Sequence, residues 1–467
     1  MEDLFNPPEI RFHEGILLLQ GGERPGLDDS FGKGFWHWDN RLESWTCDAL
    51  RWTEVREKLM RAGYHFPPHD WPSVKWGKGN RRTLRSEQME AVKAWNQAGG
   101  RGVIVMPTGT GKTEVALQIM RENPVPTLVV APVRDLMYQW HRRILSALGY
   151  DAGIIGDGIH RVQDVSVTTY DSATIHMKRL GQLFQLIIWD ECHHLPGPWV
   201  GDSARMSIAP LRLGLTATLE RADGQHSQLK ELIGPVVYDL PLKAVKNSVL
   251  ADYEIRRIPV HLSDDEQARF TSLGRQIRTF MSERKDTGKS LSWEDVCAEA
   301  VTDSEAQKVL KAKRIRKAIE DRAAEKLRVI EDIFRLHPAD PCIIFVGSNR
   351  MARDVSEKFL IPCLLAHCGK RERADILDGM EHGRYKAIVA NQVLDEGVDL
   401  PVAKVAIVVG GMSSSKQAQQ RLGRILRRQG NIKAVLYEVV CLDTGEVARS
   451  RSRMKSDAFA ETKNHRL

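Results

Sequence analysis

A chain of 467 residues, 42% hydrophobic and 28% charged, is long enough for two to four domains with ample core and has the balance of a soluble globular protein. It has no run of eighteen uncharged apolar residues, and its start, MEDLFNPPEI, lacks the basic-then-apolar pattern of a secretory signal, so neither a helical membrane span nor export is expected. Seven cysteines without a CxxC pair speak against a disulfide framework or structural zinc and fit a reducing cytosol, while 68 Lys+Arg against 61 Asp+Glu gives +7, compatible with nucleic-acid binding without demanding it.

Residues 1–80 hold six of the eleven tryptophans: Trp36, Trp38, Trp45, Trp52, Trp71 and Trp76. Short apolar runs such as Ile16–Leu19 alternate with Gly and Pro turns, and 53–62 has the pattern of one helix, which together predict a small α+β domain. Aromatics stack on unpaired bases or build a small core, and for most of the six the core is expected. Pro67, Pro68, Pro72 and Gly77-Lys78-Gly79-Asn80 then read as a linker.

From 81 to 250, apolar strands alternate with helical stretches: Val103–Met106, Thr127–Ala131, Val165–Thr168, Leu186–Trp189 and Leu213–Leu215. Continuous apolar runs separated by helices imply a parallel sheet buried on both faces. The rhythm breaks over 251–330, where a charge-rich helical segment crowds Lys308, Lys311, Lys313, Arg314, Arg316 and Lys317. On the residues alone a solvated helical linker is preferred over an arm that grips phosphates. A second α/β series fills 331–448, with strands at Cys342–Val346, Ala387–Val389, Val405–Val409 and Ala434–Tyr437, and 449–467 read as a polar, basic tail. Cys192, Cys342 and Cys441 adjoin apolar runs and are expected as core thiols.

The chemistry concentrates in RGVIVMPTGTGKT, 101–113. An apolar strand runs into a Gly/Thr loop and a helix start, where backbone N–H groups without partners attract anions. Pro107, Thr108, Gly109, Thr110 and Gly111 would cradle phosphates, Lys112 would reach the β/γ-phosphates and Thr113 would bind Mg²⁺. The general pattern asks for Gly at Met106. Leu186–Trp189 ends in Asp190-Glu191-Cys192-His193, which puts two carboxylates at the edge where α/β sheets bind ligands. Asp190 can hold Mg²⁺ and Glu191 can activate water. Gln88, with Arg85 beside it, lies just upstream, and an amide there could select adenine. Gln420-Arg421-Leu422-Gly423-Arg424-Ile425-Leu426-Arg427 sets two arginines one helical turn apart, able to face one anion.

The ordered set Gln88, PTGTGKT (107–113), DECH (190–193), TAT (216–218), NQVLDEGVDLP (391–401) and QRLGRILR (420–427) resembles a superfamily 2 helicase. The stretch from Gly214 to Gly224, and Trp38-Asp39-Asn40-Arg41 with Ala49-Leu50-Arg51-Trp52, are similar to the short archaeal-type XPB helicases. That resemblance implies two RecA-like parallel-sheet lobes, a small N-terminal damage-recognition-like domain and a helical, thumb-like insertion. It implies an ATP- and Mg²⁺-dependent DNA helicase or translocase of 3′-to-5′ polarity in DNA repair, acting on duplex, forked or single-stranded DNA, with a nuclease as a partner. Among site residues it implies Gln420, Arg424 and Arg427 as second-lobe groups on the triphosphate, and Asp395, Glu396 and Gly397 facing ribose and nucleic acid. It implies Thr216 and Thr218 as couplers, with Arg221 and Asp223 alongside. The loops 132–135 (with Arg134), 168–171 (with Thr169) and 347–350 resemble motifs that touch the phosphodiester chain. Where the family has Arg-Glu-Asp, this chain has Arg221-Ala222-Asp223, so a duplex translocase without strand separation stays open, as does a damaged-DNA binding module with ATP-timed release.

Overall fold

The structure is a computed structural model that describes residues 9–20, 36–61, 69–107, 109–217, 219, 224–241, 253–284, 292–365, 367–391, 403–410 and 434–454. The described residues fall into two compact units that meet in sequence at Pro241 and Leu242.

The first unit opens with strands β1 (Glu9–His13), β2 (Ile16–Gln20), β3 (His37–Asp39) and β4 (Ser44–Asp48), an antiparallel sheet in the order β1-β2-β4-β3. Helix α1 (Trp52–Arg61) covers it through Val55 and Leu59. Its core, with Leu17, Trp36 and Cys47, also takes in Ile208 from the larger domain. The tryptophans pack internally: Trp36 is buried, Trp45, Trp52 and Trp71 lean on that core, Trp38 meets Trp45 edge-on at 5.6 Å, and Trp76 meets Tyr150 at 6.0 Å.

Residues 69–80, expected as a linker, are instead a strap fastened along the first lobe. Val74 N–H donates to the Pro124 carbonyl at 2.9 Å, Gly77 N–H to Leu148 at 2.9 Å and Asn80 N–H to Ser146 at 2.8 Å. Trp71 Nε1 donates to the Gln182 carbonyl at 3.1 Å. The glycines serve close approach rather than flexibility, because a Cβ at 77 or 79 would run into the backbone of Gly149 or Ala147.

The large sheet of this unit comprises β5 (Arg101–Val105), β6 (Thr127–Ala131), β7 (Gly153–Gly156), β8 (Ile159–Arg161), β9 (Val165–Thr169), β10 (Leu186–Asp190), β11 (Leu211–Thr216) and β12 (Val236–Asp239), ordered β12-β5-β11-β10-β6-β9-β7-β8. All its pairings are parallel except the terminal β7–β8 hairpin. Strands β6 and β10 are buried at every residue, as expected where helices cover both faces. Arg212 on β11 is wholly buried. Its guanidinium donates to the carbonyls of Ala204, Ser207, Ala209 and Leu232 and lies over Trp189, so every contact is a backbone acceptor or a ring face.

The second unit has one sheet of β13 (Tyr253–Val260), β14 (Cys342–Val346), β15 (Cys363–Leu364), β16 (Ala387–Ala390), β17 (Val405–Val409) and β18 (Ala434–Cys441), parallel throughout in the order β13-β18-β17-β14-β16-β15. Strand β13 corrects the expectation that 251–330 is helical. YEIRRIPV offers no apolar run because it is an edge strand, where Pro259 is tolerated and Arg257 finds Glu438 at 2.7 Å. The rest of the segment is helical: Asp264–Glu283, Trp293–Glu299 and Ser304–Asp321 share a small core of Ile277, Phe280, Val296 and Val309. Some of its cations are structural. Lys313 sits 3.4 Å over the Trp293 ring and Arg316 4.0 Å over Phe270, while Lys308 pairs with Glu305.

The basic tail read from Arg449 onward also needs correction, because a helix runs from Gly445 to Met454. It is docked by charge. Arg449 pairs with Glu320, and the fully buried Lys326 ammonium donates to Glu446 Oε1 at 2.7 Å and to the Glu320 carbonyl at 2.7 Å. Glu446 Oε2 accepts the Cys441 N–H at 2.8 Å. Replacing Lys326→Met leaves a buried carboxylate without its ammonium and is expected to lower stability by about 3–5 kcal/mol. A urea titration of the variant checks this, and a loss below about 1 kcal/mol would contradict it.

Candidate active site

The first lobe's site lies at the carboxyl edge of its parallel sheet, where β5, β10 and β11 end at neighbouring positions. Strand β5 leads into the buried Met106, whose N–H donates to the Thr216 carbonyl at 2.9 Å. The side chain at 106 packs in the core, and the backbone carries the loop, which is why a methionine serves where the general pattern has glycine. Thr110 is buried, with its hydroxyl donating to the Pro107 carbonyl at 2.6 Å. Gly109 and Gly111 have φ of +83° and +86°, and Gly111 caps helix α3 (Lys112–Glu122). The helix therefore begins with its N–H groups facing the loop, the geometry that receives an anion.

Lys112 Nζ donates to the Met106 carbonyl at 3.1 Å and lies 3.7 Å from Glu191 Oε1. Glu191 has φ +49°, a turn that lifts its carboxylate off the strand end. His193 Nδ1 stands 3.4 Å from Glu191 Oε2 and 3.0 Å from Thr216 Oγ1, so the acid, the imidazole and the end of β11 form one chain of polar contacts. Thr113 is half-buried in the first turn of α3.

Asp190 is buried at the last position of β10. Burial and then the neighbouring Glu191 push its carboxyl pKa up, against the Trp140 hydrogen bond and Lys112, which pull it down. Its Oδ2 accepts the Trp140 indole N–H at 2.8 Å and its Oδ1 the Glu191 N–H at 3.0 Å. Asp190, Glu191 and Lys112 thus stand together at the strand end, and the carboxylate oxygens are of the kind that suits a hard cation.

Gln88 and Arg85 shape the other side of the loop. Gln88 is buried near the start of α2 (Ser86–Gln97). Its Oε1 accepts the Arg85 N–H at 2.9 Å and its Nε2 donates to the Thr110 carbonyl at 2.8 Å. The Arg85 guanidinium also reaches the Thr110 carbonyl. Both side chains therefore brace the loop through the Thr110 carbonyl.

Other expected residues stand at helix starts. Arg134 opens α4 (Arg134–Leu148) and binds Asp157 at 2.6 Å. Thr169 caps α5 (Tyr170–Leu180), its hydroxyl accepting the Ser172 N–H at 3.4 Å. In the loop 347–350, Ser348 caps the helix Asn349–Phe359. Thr108, Thr218, Arg221 and Asp223 lie outside the described residues, as do Asp395, Glu396, Gly397, Gln420, Arg424 and Arg427. Trp140 carries no functional signal in the sequence, because it falls on the apolar period Met137, Trp140, Ile144, Leu148, which marks a core face; Tyr170, within the loop 168–171 expected at the phosphodiester chain, is buried, and its hydroxyl donates to the Asp190 carbonyl at 3.0 Å.

Comparison with known proteins places this geometry. Residues 81–221 match the family description "Type III restriction enzyme, res subunit", and 297–457 match "ERCC3/RAD25/XPB C-terminal helicase". The chain is 36% identical over 450 residues to a protein of Sulfurisphaera tokodaii named DNA 3'-5' translocase XPB2, a match covering 95% of this chain and 99% of that one. The chain belongs to the XPB helicase family. A second XPB relative, the DNA 3'-5' helicase XPB of Mycobacterium tuberculosis, is 27% identical over 427 residues, covering 86% of this chain and 70% of that protein. Among solved structures, the Hef helicase domain of Pyrococcus furiosus overlays with a TM-score of 0.55 at 17% identity, covering 80% of this chain and all of that one. Dbp5 of S. cerevisiae overlays at 0.54, also at 17%, covering 82% and 89%. These two likenesses show the fold, RecA-like parallel-sheet lobes.

Since a Cβ at Gly111 would run into the Gln88 amide and φ is positive there, Gly111→Ala is expected to destabilise the first lobe by about 1–2 kcal/mol or more. Urea unfolding followed by tryptophan fluorescence tests this, and an unchanged midpoint contradicts the loop geometry.

Proposed function

We propose that this chain is an ATP-hydrolysing DNA motor of XPB type, moving 3′ to 5′ as a helicase or translocase in DNA repair. The observation that carries the reading is Lys112, held between the Met106 carbonyl and Glu191 beside Asp190, at the carboxyl edge of a parallel sheet. The near full-length match to an archaeal XPB translocase supports it.

In this reading the N–H groups of residues 109–113 and the Lys112 ammonium bind the triphosphate. Thr113 and Asp190 would hold Mg²⁺, which when bound offsets phosphate charge and orients the transferred group. Glu191 accepts a proton from the attacking water, and His193 holds Glu191 toward Thr216, the end of β11. Arg85 and Gln88 keep the loop in register and offer Gln88's remaining donor and acceptor to adenine. Arg424 and Arg427 supply positive charge from the second lobe, with the Gln420 amide beside them as a hydrogen-bond donor, and Asp395–Gly397 face ribose and DNA. Arg134 and Thr169 meet the phosphodiester chain, and Thr216, Thr218, Arg221 and Asp223 couple the two ligands. Backbone contact suits a motor, whose grip must not depend on base sequence. DNA is the partner of this cycle. A cytosolic setting and a nuclease companion follow as further parts of the proposal, the latter tested by co-purification. Among the described residues no helix is long and apolar enough to cross a membrane.

The deciding experiment compares ATP turnover with no polymer, single strands, duplex, forked DNA and RNA. Stimulation by DNA over RNA is expected, and turnover indifferent to every polymer sinks the motor. Lys112→Ala is expected to abolish turnover while DNA still binds, so normal turnover in that variant would refute the phosphate-loop assignment. Arg427→Ala is expected to cut kcat more than ATP affinity, whereas equal losses would mark uniform binding.

A further inference from the structure

Asp190 is held from three directions. Its Oδ1 takes the Glu191 N–H at 3.0 Å, its Oδ2 the Trp140 Nε1–H at 2.8 Å, and its main-chain carbonyl the Tyr170 hydroxyl at 3.0 Å. The two side-chain donors come from different helices. Trp140 lies two turns into α4 and Tyr170 is the first residue of α5, and both are buried.

Each of those helices starts at an expected DNA contact. Arg134, the first residue of α4, is 63% exposed at its side chain and is tied to Asp157 Oδ1 at 2.6 Å. Asp157 Oδ2 accepts the Tyr138 hydroxyl at 3.0 Å, one helical turn further along α4. Trp140 is six residues beyond Arg134, about 9 Å along a rigid helix. Thr169 caps α5 immediately before Tyr170. A phosphate that draws Arg134 off Asp157, or settles on Thr169, pulls on a helix whose buried aromatic grips Asp190.

A buried indole needs an acceptor for its N–H, and a main-chain carbonyl remote from the site would satisfy it at no consequence there. Here the acceptor is a carboxylate oxygen on a candidate metal ligand. With both oxygens engaged, the carboxylate has no free torsion, so a small shift of α4 turns it.

We propose that Trp140 and Tyr170 are positioning residues through which DNA at the starts of α4 and α5 sets the orientation of Asp190, and with it the affinity for magnesium-bound nucleotide. The proposal rests on the motor reading above and adds its path within the first lobe. The coupling is reciprocal: nucleotide shifts DNA affinity by the same factor as DNA shifts nucleotide affinity, and a factor of about 5 to 150 is typical.

The test uses the full chain with Trp140→Phe and Tyr170→Phe, singly and together; each keeps the ring and removes one donor. The readouts are the affinity of a fluorescent ATP analogue with magnesium, with and without saturating short duplex DNA, and the DNA affinity with and without that analogue. In the unaltered chain DNA changes nucleotide affinity. In the double variant the ratio is expected to fall toward one, while magnesium-free nucleotide affinity, set by the Lys112 loop, stays within about twofold. A purely structural role lowers both affinities in proportion and keeps the ratio, which overturns the proposal while the motor stands. An unaltered chain with no DNA effect on nucleotide binding or turnover overturns the motor as well. If Trp140→Phe does not fold, Tyr170→Phe alone carries the test: a partial fall in the ratio supports the proposal, an unchanged ratio overturns it.

Discussion

A charged side chain at the end of a fully buried strand is unfavourable unless its surroundings answer it, and the first lobe is arranged around that constraint at Asp190. Strand β10 is buried at every residue because helices cover both faces of a parallel sheet. Its last carboxylate therefore sits where water is scarce, with its pKa raised by burial and by Glu191. The Lys112 ammonium, the Trp140 indole and the Glu191 main-chain N–H answer that charge. Carboxylate oxygens at this sheet edge are of the kind that suits a hard cation.

The neighbours of this carboxylate are tied to one another rather than merely adjacent. Lys112 reaches back to the Met106 carbonyl, Met106 is paired with Thr216, and Thr216 meets His193, which meets Glu191. The loop is braced on its far side by Arg85 and Gln88 through the Thr110 carbonyl. Charge is handled the same way elsewhere. Arg212 is buried against four carbonyls, and Lys326 joins Glu446 and the end of one helix. In the helical part of the second unit, cations that composition alone assigns to solvent or to phosphates lie over aromatic rings. A basic cluster is thus partly a packing device, and only the remaining cations are available to a polyanion.

Much of the fold was legible because buried parallel strands leave a strong signal. Thr127–Ala131, Cys342–Val346 and Val405–Val409 appear in the structure with the bounds their apolar runs suggest. The phosphate loop and the two acids were legible because their spacing is dictated by local backbone geometry. Strands that lack an apolar run were not: Tyr253–Val260 and Ile159–Arg161 lie at sheet edges, where one side faces solvent and polar residues are tolerated. The strap at 69–80 was misread for a related reason, since Pro and Gly serve close backbone packing as readily as flexibility.

By itself, the sequence determined the order of the lobes, the phosphate loop, the Asp190-Glu191 pair and the family, since each depends on residues near in the chain or on motifs kept in order. The tertiary structure decided which side chains answer those acids. Trp140 reads as a core residue of its own helix and Tyr170 as part of the loop 168–171, and only the packing of α4 and α5 against the sheet brings their donors to Asp190, 50 and 20 residues away. Local periodicity reports which face of an element is buried; which polar atom it meets there depends on how separate elements stack, and that is written in no single segment.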